Sequence, residues 1–164
     1  MTPPHSNSSK SKKAHTITTL LWGTANPEGI ENYHGMYLSR SDVADMVSQI
    51  DTASARGEPM PVLVEHKGVS VGRVISAWEH QGRLECVLAL DGCVLEGAIG
   101  AEMVRSGICR DLSLGYTVSL ENSAQRGIVC KKKQLREISV VVKGLRRKCH
   151  IHAVSAASSG ANSK

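Results

Sequence analysis

From Pro61 to Leu90 the chain passes through three β-prone runs almost without a break: Pro61–Glu65, Val69–Trp78 and Arg83–Leu90. His66-Lys67-Gly68 is a tight connection between the first two, and Gln81-Gly82 is a hairpin turn between the second and third. In the third run Leu84, Cys86, Leu88 and Leu90 alternate with other residues, the period of a half-buried antiparallel strand. A chain with this centre has to build a sheet from neighbouring strands. The flanks agree with that. Thr16–Trp22 is rich in β-branched residues, Arg110–Thr117 is a further β-prone run, and Gly127–Lys131 and Leu135–Val142 read as two more strands on either side of a short basic stretch.

Two segments have helical spacing instead. Ser39 is a good N-cap and Asp42 completes a capping-box-like pair with it. Val43, Met46, Val47 and Ile50 follow at i, i+3, i+4, i+7 and predict one core-facing stripe, with residues 51–59 returning as a polar loop. Val94–Ser106 repeats the pattern through Leu95, Ala98, Ile99 and Met103, and Gly107 stops it. Asn26-Pro27-Glu28-Gly29 and Glu121–Arg126 read as turn and loop, and Tyr33–Leu38 as a short extended piece. There is no βαβ alternation and no internal repeat. The expected fold is mainly β with peripheral helices (α+β), a largely antiparallel barrel or sandwich of about seven strands with two or more helices.

The chain has 164 residues, which is one domain with room for a core. With no Phe and only 3% aromatic residues, that core must be aliphatic. Residues 1–14 are polar, Ser-rich and basic at Lys10, Lys12 and Lys13, and they read as a disordered tail. The lysines suit a nuclear-import signal or simply a solvated tail. Residues 15–152 form the expected domain, and 153–164 a disordered small-residue tail or linker. Five dispersed cysteines without a C-x-x-C pair read as reduced thiols of an intracellular protein. The sequence has no signal-peptide core and no run approaching a membrane span, so no membrane partner is expected. A net charge of +5 permits an anionic partner without requiring one.

Three residues can be assembled into hydrolytic chemistry. In Arg110–Thr117, alternation puts Leu112 and Leu114 on one face and Ser113, Gly115 and Thr117 on the other. Ser113 is then a candidate nucleophile beside a small residue; Ser119 on the same strand is a rival. A serine hydroxyl needs a neutral imidazole to take its proton and a third group to hold the imidazole's tautomer. His66, after a buried-looking strand, is a candidate base, and it equally suits a structural hydrogen-bonding role. Glu137 is a candidate third member, on a strand face with Leu135, Ser139 and Val141; its alternative is a plain ion pair with a nearby Lys or Arg. Cys149-His150-Ile151-His152 is too compact to make a metal site without a remote partner cluster. No metal or cofactor is expected.

These blocks resemble those of the viral capsid-maturation proteases, the superfamily of herpesvirus assemblins and tailed-phage prohead proteases. VLVEHKGVSVGRVISAWEHQGRLECVLAL is similar to the first-histidine block, with His66, Val71-Gly72-Arg73-Val74 and Gly82-Arg83-Leu84 at the matching places. Ser113-Leu114-Gly115-Tyr116 resembles the nucleophile block in its phage form, S-I-G-F. Glu137-Ile138-Ser139-Val140-Val141 matches the phage pattern E-[VI]-S-[LV]-V, and Gly144-Leu145-Arg146-Arg147 echoes the assemblin G-R-R segment. The likeness runs from about residue 17 to 152.

The resemblance implies a serine endopeptidase that cleaves scaffold protein, and itself, during capsid maturation. Ser113 would attack, His66 move the proton, and Glu137 stand where assemblins have a second histidine; His150 or His152 could replace it. Arg146 and Arg147 would support the oxyanion, or else form a basic surface cluster with Lys143 and Lys148. Val154-Ser155-Ala156-Ala157-Ser158 is similar to an assemblin release site, with cleavage between Ala157 and Ser158; its alternative is an ordinary linker. Scaffold and capsid shell protein are the implied partners. A homodimer is allowed, although the C-terminal helices of assemblins are absent from this sequence. The implied location is inside an assembling capsid, in the host nucleus for a herpes-type virus or the host cytoplasm for a phage. Two rival readings share the barrel: a non-catalytic capsid-scaffold module, and a nucleic-acid-binding module resting on the basic run Lys131–Lys148. Few aromatics are present for base stacking, so nucleic acid is not an expected partner.

Overall fold

The computed structural model describes residues 17–32, 36, 38–123 and 127–158. Strands β1 (Ile17–Asn26), β2 (Pro61–Val64), β3 (Lys67–His80), β4 (Arg83–Asp91), β5 (Asp111–Ser123), β6 (Gly127–Val141) and β7 (Ile151–Ser158) alternate with helices α1 (Arg40–Ala55) and α2 (Leu95–Arg105). The seven strands form one sheet in the order β5-β6-β2-β3-β4-β1-β7. All neighbours are antiparallel except β2 and β6, which pair in parallel. The sheet is therefore mixed, and it is not closed. Among the described residues its two edge strands meet where β5 begins: Leu112 N–H donates to the Cys149 carbonyl and Ile151 N–H to the Arg110 carbonyl, around the Asp111–His150 bridge. The barrel read from the sequence needed a full ladder there, and two hydrogen bonds do not make one.

Local chemistry explains most of the elements. At Gln81-Gly82 both residues lie at positive φ (52° and 78°), as a two-residue hairpin turn requires. The Ser39–Asp42 capping box forms with both of its reciprocal bonds, and Val43, Met46 and Ile50 are buried beneath α1. Leu84, Cys86, Leu88 and Leu90 are buried with Leu21, Val62, Leu112, Ile138 and Val140 in an aliphatic core. Each such side chain contributes about 1.5–3 kcal/mol by leaving water.

Other expectations change. Helix α1 runs through the front of the expected 51–59 loop as far as Ala55. Strand β4 is buried on both faces, Glu85 and Ala89 included, because it lies between β3 and β1 inside the sheet. The two strands expected at 127–131 and 135–142 are one continuous β6, since β5 pairs along its whole length. Residues 121–123 belong to β5, while 124–126 of that expected loop lie outside the described residues. So do the 1–14 tail, most of the 33–37 stretch and residues 159–164. Residues 153–158, read as the start of a linker, are part of β7 and pair with β1. Among the described residues, no helix is long and apolar enough to cross a membrane.

Of the stripe expected on helix α2, Met103 packs against the core, but the face that is fully buried is a different one. Leu95 and Ile99 are 71% and 50% exposed, whereas Gly97, Gly100, Ala101 and Val104 face the sheet. The cause is distance: a Cβ on Gly97 would stand 2.0 Å from the Asp91 carbonyl oxygen. Only small residues allow that approach, and periodicity of large apolar residues misreads it. Gly97→Ala is therefore expected to destabilise the protein by about 2 kcal/mol. The overpacking against backbone exceeds the ~1 kcal/mol that alanine gains in helix propensity. A urea unfolding series checks it; an unchanged midpoint would show that the helix can simply move away.

Candidate active site

Strands β5 and β6 bring four small or polar residues to one face. Ser113 lies opposite Ser139, and Gly115 opposite Glu137, while Leu112, Leu114, Ile138 and Val140 point into the core on the other face. Simple alternation would put Leu135 beside Glu137. The register instead shifts between Gly115 and Tyr116, leaving Arg136 as the extra residue of a β-bulge, so Leu135 turns into the core and Glu137 turns out of it. Helix α1 holds this stretch in place: the Gln49 side chain donates to the Lys133 carbonyl (3.1 Å) and accepts from Leu135 N–H (2.9 Å).

His66 arrives from the neighbouring strand. β2 runs parallel to β6, with Val62, Leu63 and Val64 beside Ile138, Ser139 and Val140. It then reverses into β3 through Glu65 and His66 alone, both in the left-handed region at φ 52° and 57°. For non-glycine residues this conformation costs on the order of 1–2 kcal/mol each. Bonds to β6 and just beyond offset the cost: Glu65 N–H donates to the Val140 carbonyl, His66 N–H to Ser139 Oγ, and Val142 N–H to Glu65 Oε1.

This turn places the imidazole between the serine and the acid. His66 Nε2 is 2.9 Å from Ser113 Oγ, and His66 Nδ1 is 2.5 Å from Glu137 Oε1. A carboxylate accepts only, so the hydrogen-bond pattern assigns the neutral ring an Nδ1–H donating to Glu137. The Nε2 lone pair is then free to accept the Ser113 proton. Ser139 Oγ–H donates to the other carboxylate oxygen, Oε2, at 2.7 Å. Ser113 and Glu137 are 3% and 7% exposed, and the imidazole forms the open side of the group. The hydrogen bond that His66 donates to Glu137 raises the His66 pKa above its ordinary value; burial opposes this, and the charges of Glu137 and Glu65 reinforce it.

Gly115 leaves space for the acid: a Cβ there would meet Glu137 Oε1 at 1.8 Å. Ser119 is spent on a bond to the Lys132 carbonyl. The two later histidines lie elsewhere. His150 Nδ1 contacts Asp111 Oδ1 at 2.7 Å, and His152 Nε2 contacts Thr24 Oγ1 at 2.7 Å, next to buried Glu85. Cys149 points to the Ala25 carbonyl, so the CHIH segment diverges. Arg146 is buried, its Nη2 3.1 Å from Tyr116 Oη and its guanidinium over the Tyr116 ring. Tyr116 packs on the core side of β5 with Leu112 and Leu114, so Arg146 lies across that strand from Ser113. Arg147 is exposed and lines a cleft of about 570 Å³ with Ile30, Asn32, Leu145 and Lys148, and no member of the Ser113 group lines it. Ala157 and Ser158 pair with Thr18 and Ile17 at the end of β7. Sequence reasoning passed over Ser139 and the Glu65 turn. The i, i+2 spacing of Glu137 and Ser139 was the available signal, because alternation puts such a pair on one face.

Gly115→Ala should push the Glu137 carboxylate off His66 and so lower the His66 pKa, and Glu137→Gln should lower it further. An NMR titration of the ring checks both, and unchanged values would refute the geometry. Stability follows with a definite sign. A pKa raised by folding makes the pair's contribution complete below the unfolded value near 6.5 and lost as pH rises through the folded value. The stability lead of wild type over Glu137→Gln should accordingly shrink from pH 6 upward in denaturant titrations.

No protein family matches the sequence, and no curated protein matches it either. Among solved structures, the chain is similar to KSHV protease, crystallised in complex with a hexapeptide phosphonate inhibitor, at 14% identity and a TM-score of 0.51. The match covers 87% of this chain and 65% of that one, so the chain spans somewhat under two thirds of the herpesvirus protein's length. At this identity the likeness is one of fold, and a distant one.

Proposed function

We propose that the chain is a serine endopeptidase of the assemblin and prohead-protease type, acting on scaffold protein and on itself during maturation of a viral capsid. The observation that carries this reading is the continuous line from Ser113 Oγ to His66 Nε2 and from His66 Nδ1 to Glu137. A structural histidine needs one partner; this one is held between a hydroxyl and a carboxylate by its two different nitrogens. The fold shared with a viral protease supports the reading, as do the order and spacing of the three sequence blocks.

In the proposed reaction Ser113 Oγ attacks the peptide carbonyl carbon while its proton moves to His66 Nε2. Glu137 keeps the ring oriented and stabilises the imidazolium. The imidazolium then gives the proton to the departing amine, which leaves as the C–N bond breaks. Water repeats the sequence on the acyl-enzyme and restores Ser113. Arg146 or Arg147 would oppose the oxyanion's charge, a role that the resemblance implies. Self-cleavage between Ala157 and Ser158 requires the end of β7 to leave β1 first, since a protease takes its substrate segment unpaired. Scaffold and shell protein are the proposed partners and the assembling capsid the proposed location.

An alkyl fluorophosphonate tests the chemistry without knowledge of the substrate. Wild type, at high concentration and in kosmotropic salt, should gain one phosphonyl adduct with loss of fluoride, and Ser113→Ala none. Mass spectrometry of a C-terminally extended chain should show truncation in wild type and an intact chain in Ser113→Ala. Equal truncation in both would overturn the proposal.

A further inference from the structure

We infer that Ser139 is a positioning residue that fixes both His66 and Glu137 through one hydroxyl. Its Oγ accepts the His66 backbone N–H at 3.1 Å and donates to Glu137 Oε2 at 2.7 Å. A hydroxyl has one proton to give, and here it goes to the acid. A lone pair of the same oxygen holds the histidine's main chain. The side chain is fully buried and lies opposite Ser113 in the β5–β6 ladder. One oxygen atom thus ties the β2–β3 turn to the acid on β6, and the backbone of the same residue pairs with the serine's strand.

The two bonds do separate jobs. Without the bond to Oε2, the carboxylate can rotate about its last torsion, and Oε1 loses its fixed aim at His66 Nδ1. Without the bond from His66 N–H, the left-handed turn keeps the Glu65 contacts and the Val64–Lys67 pairing, none of which holds His66 itself to β6. The ring would then swing relative to Ser113. An ordinary buried serine satisfying a stray backbone group would do neither. The ionisable groups acting on His66 are Glu137 from β6 and Glu65 from its own turn. The Glu137 hydrogen bond is the larger influence, so loosening that carboxylate has a definite direction: the His66 pKa falls.

Ser139→Ala removes the hydroxyl with little change in volume. Ser139→Cys keeps a weaker donor on a somewhat larger atom, and provides a readout should the alanine variant not fold. The first measurement is the His66 ring titration by NMR in the intact chain, which needs no catalysis. Ser139→Ala should lower the His66 pKa, with Ser139→Cys between it and wild type. The second is the rate of labelling by the alkyl fluorophosphonate, expected to fall about 10- to 100-fold in Ser139→Ala through misplacement of the reacting groups. Only this kinetic arm rests on the serine-protease reading. A His66 pKa identical in wild type and both variants would overturn the positioning role, even with wild type labelled normally. A pKa that falls in variants of a protein whose wild type is never labelled would leave the positioning role standing and overturn the nucleophile.

Discussion

A carboxylate stands beside His66 because position 115 has no side chain. The Glu137 oxygen that meets the imidazole occupies the volume a Cβ at Gly115 would fill. A nearly buried charge is costly unless it is paired and hydrogen-bonded. Here His66 takes one oxygen and Ser139 the other. This one contact governs the tautomer of the ring, the direction of its Nε2 lone pair and the state of the Ser113 hydroxyl.

The backbone around the contact is arranged to permit it. The bulge at Arg136 changes which face β6 presents, so that Leu135 packs in the core and Glu137, two residues later, does not. The parallel pairing of β2 with β6 then delivers the two-residue turn at the height of Glu137 and Ser139. An antiparallel neighbour would have carried His66 to the other end of the strand. The left-handed turn is unfavourable alone and is retained by its bonds to β6 and Val142. The strain of this turn falls on the residue that carries the imidazole.

Much of this was legible in the residues. Alternation placed Ser113 and Gly115 on the face away from the core, and the capping box at Ser39 and the hairpin at Gln81-Gly82 are local devices that formed as read. What failed had non-local causes. Most of the stripe of large residues on α2 pointed the wrong way because close packing on Asp91 and Val71 selects glycine and alanine. The tail from residue 153 was assigned by composition, yet small residues suit an edge strand when β1 is available to pair with it. Glu137 was grouped with Leu135 because a bulge leaves no mark on the hydrophobic pattern.

The sequence by itself determined which residue types were present for the chemistry, and most of the strands and both helices, because alternation, capping and turn preferences act over a few residues. The tertiary structure decided that the acid beside His66 is Glu137 rather than His150 or His152, which are held by Asp111 and Thr24. It also decided that the sheet stays open and that Gly115 makes room for a carboxylate. Those outcomes depend on which strands lie side by side and in what register, and residues far apart in the chain set that jointly.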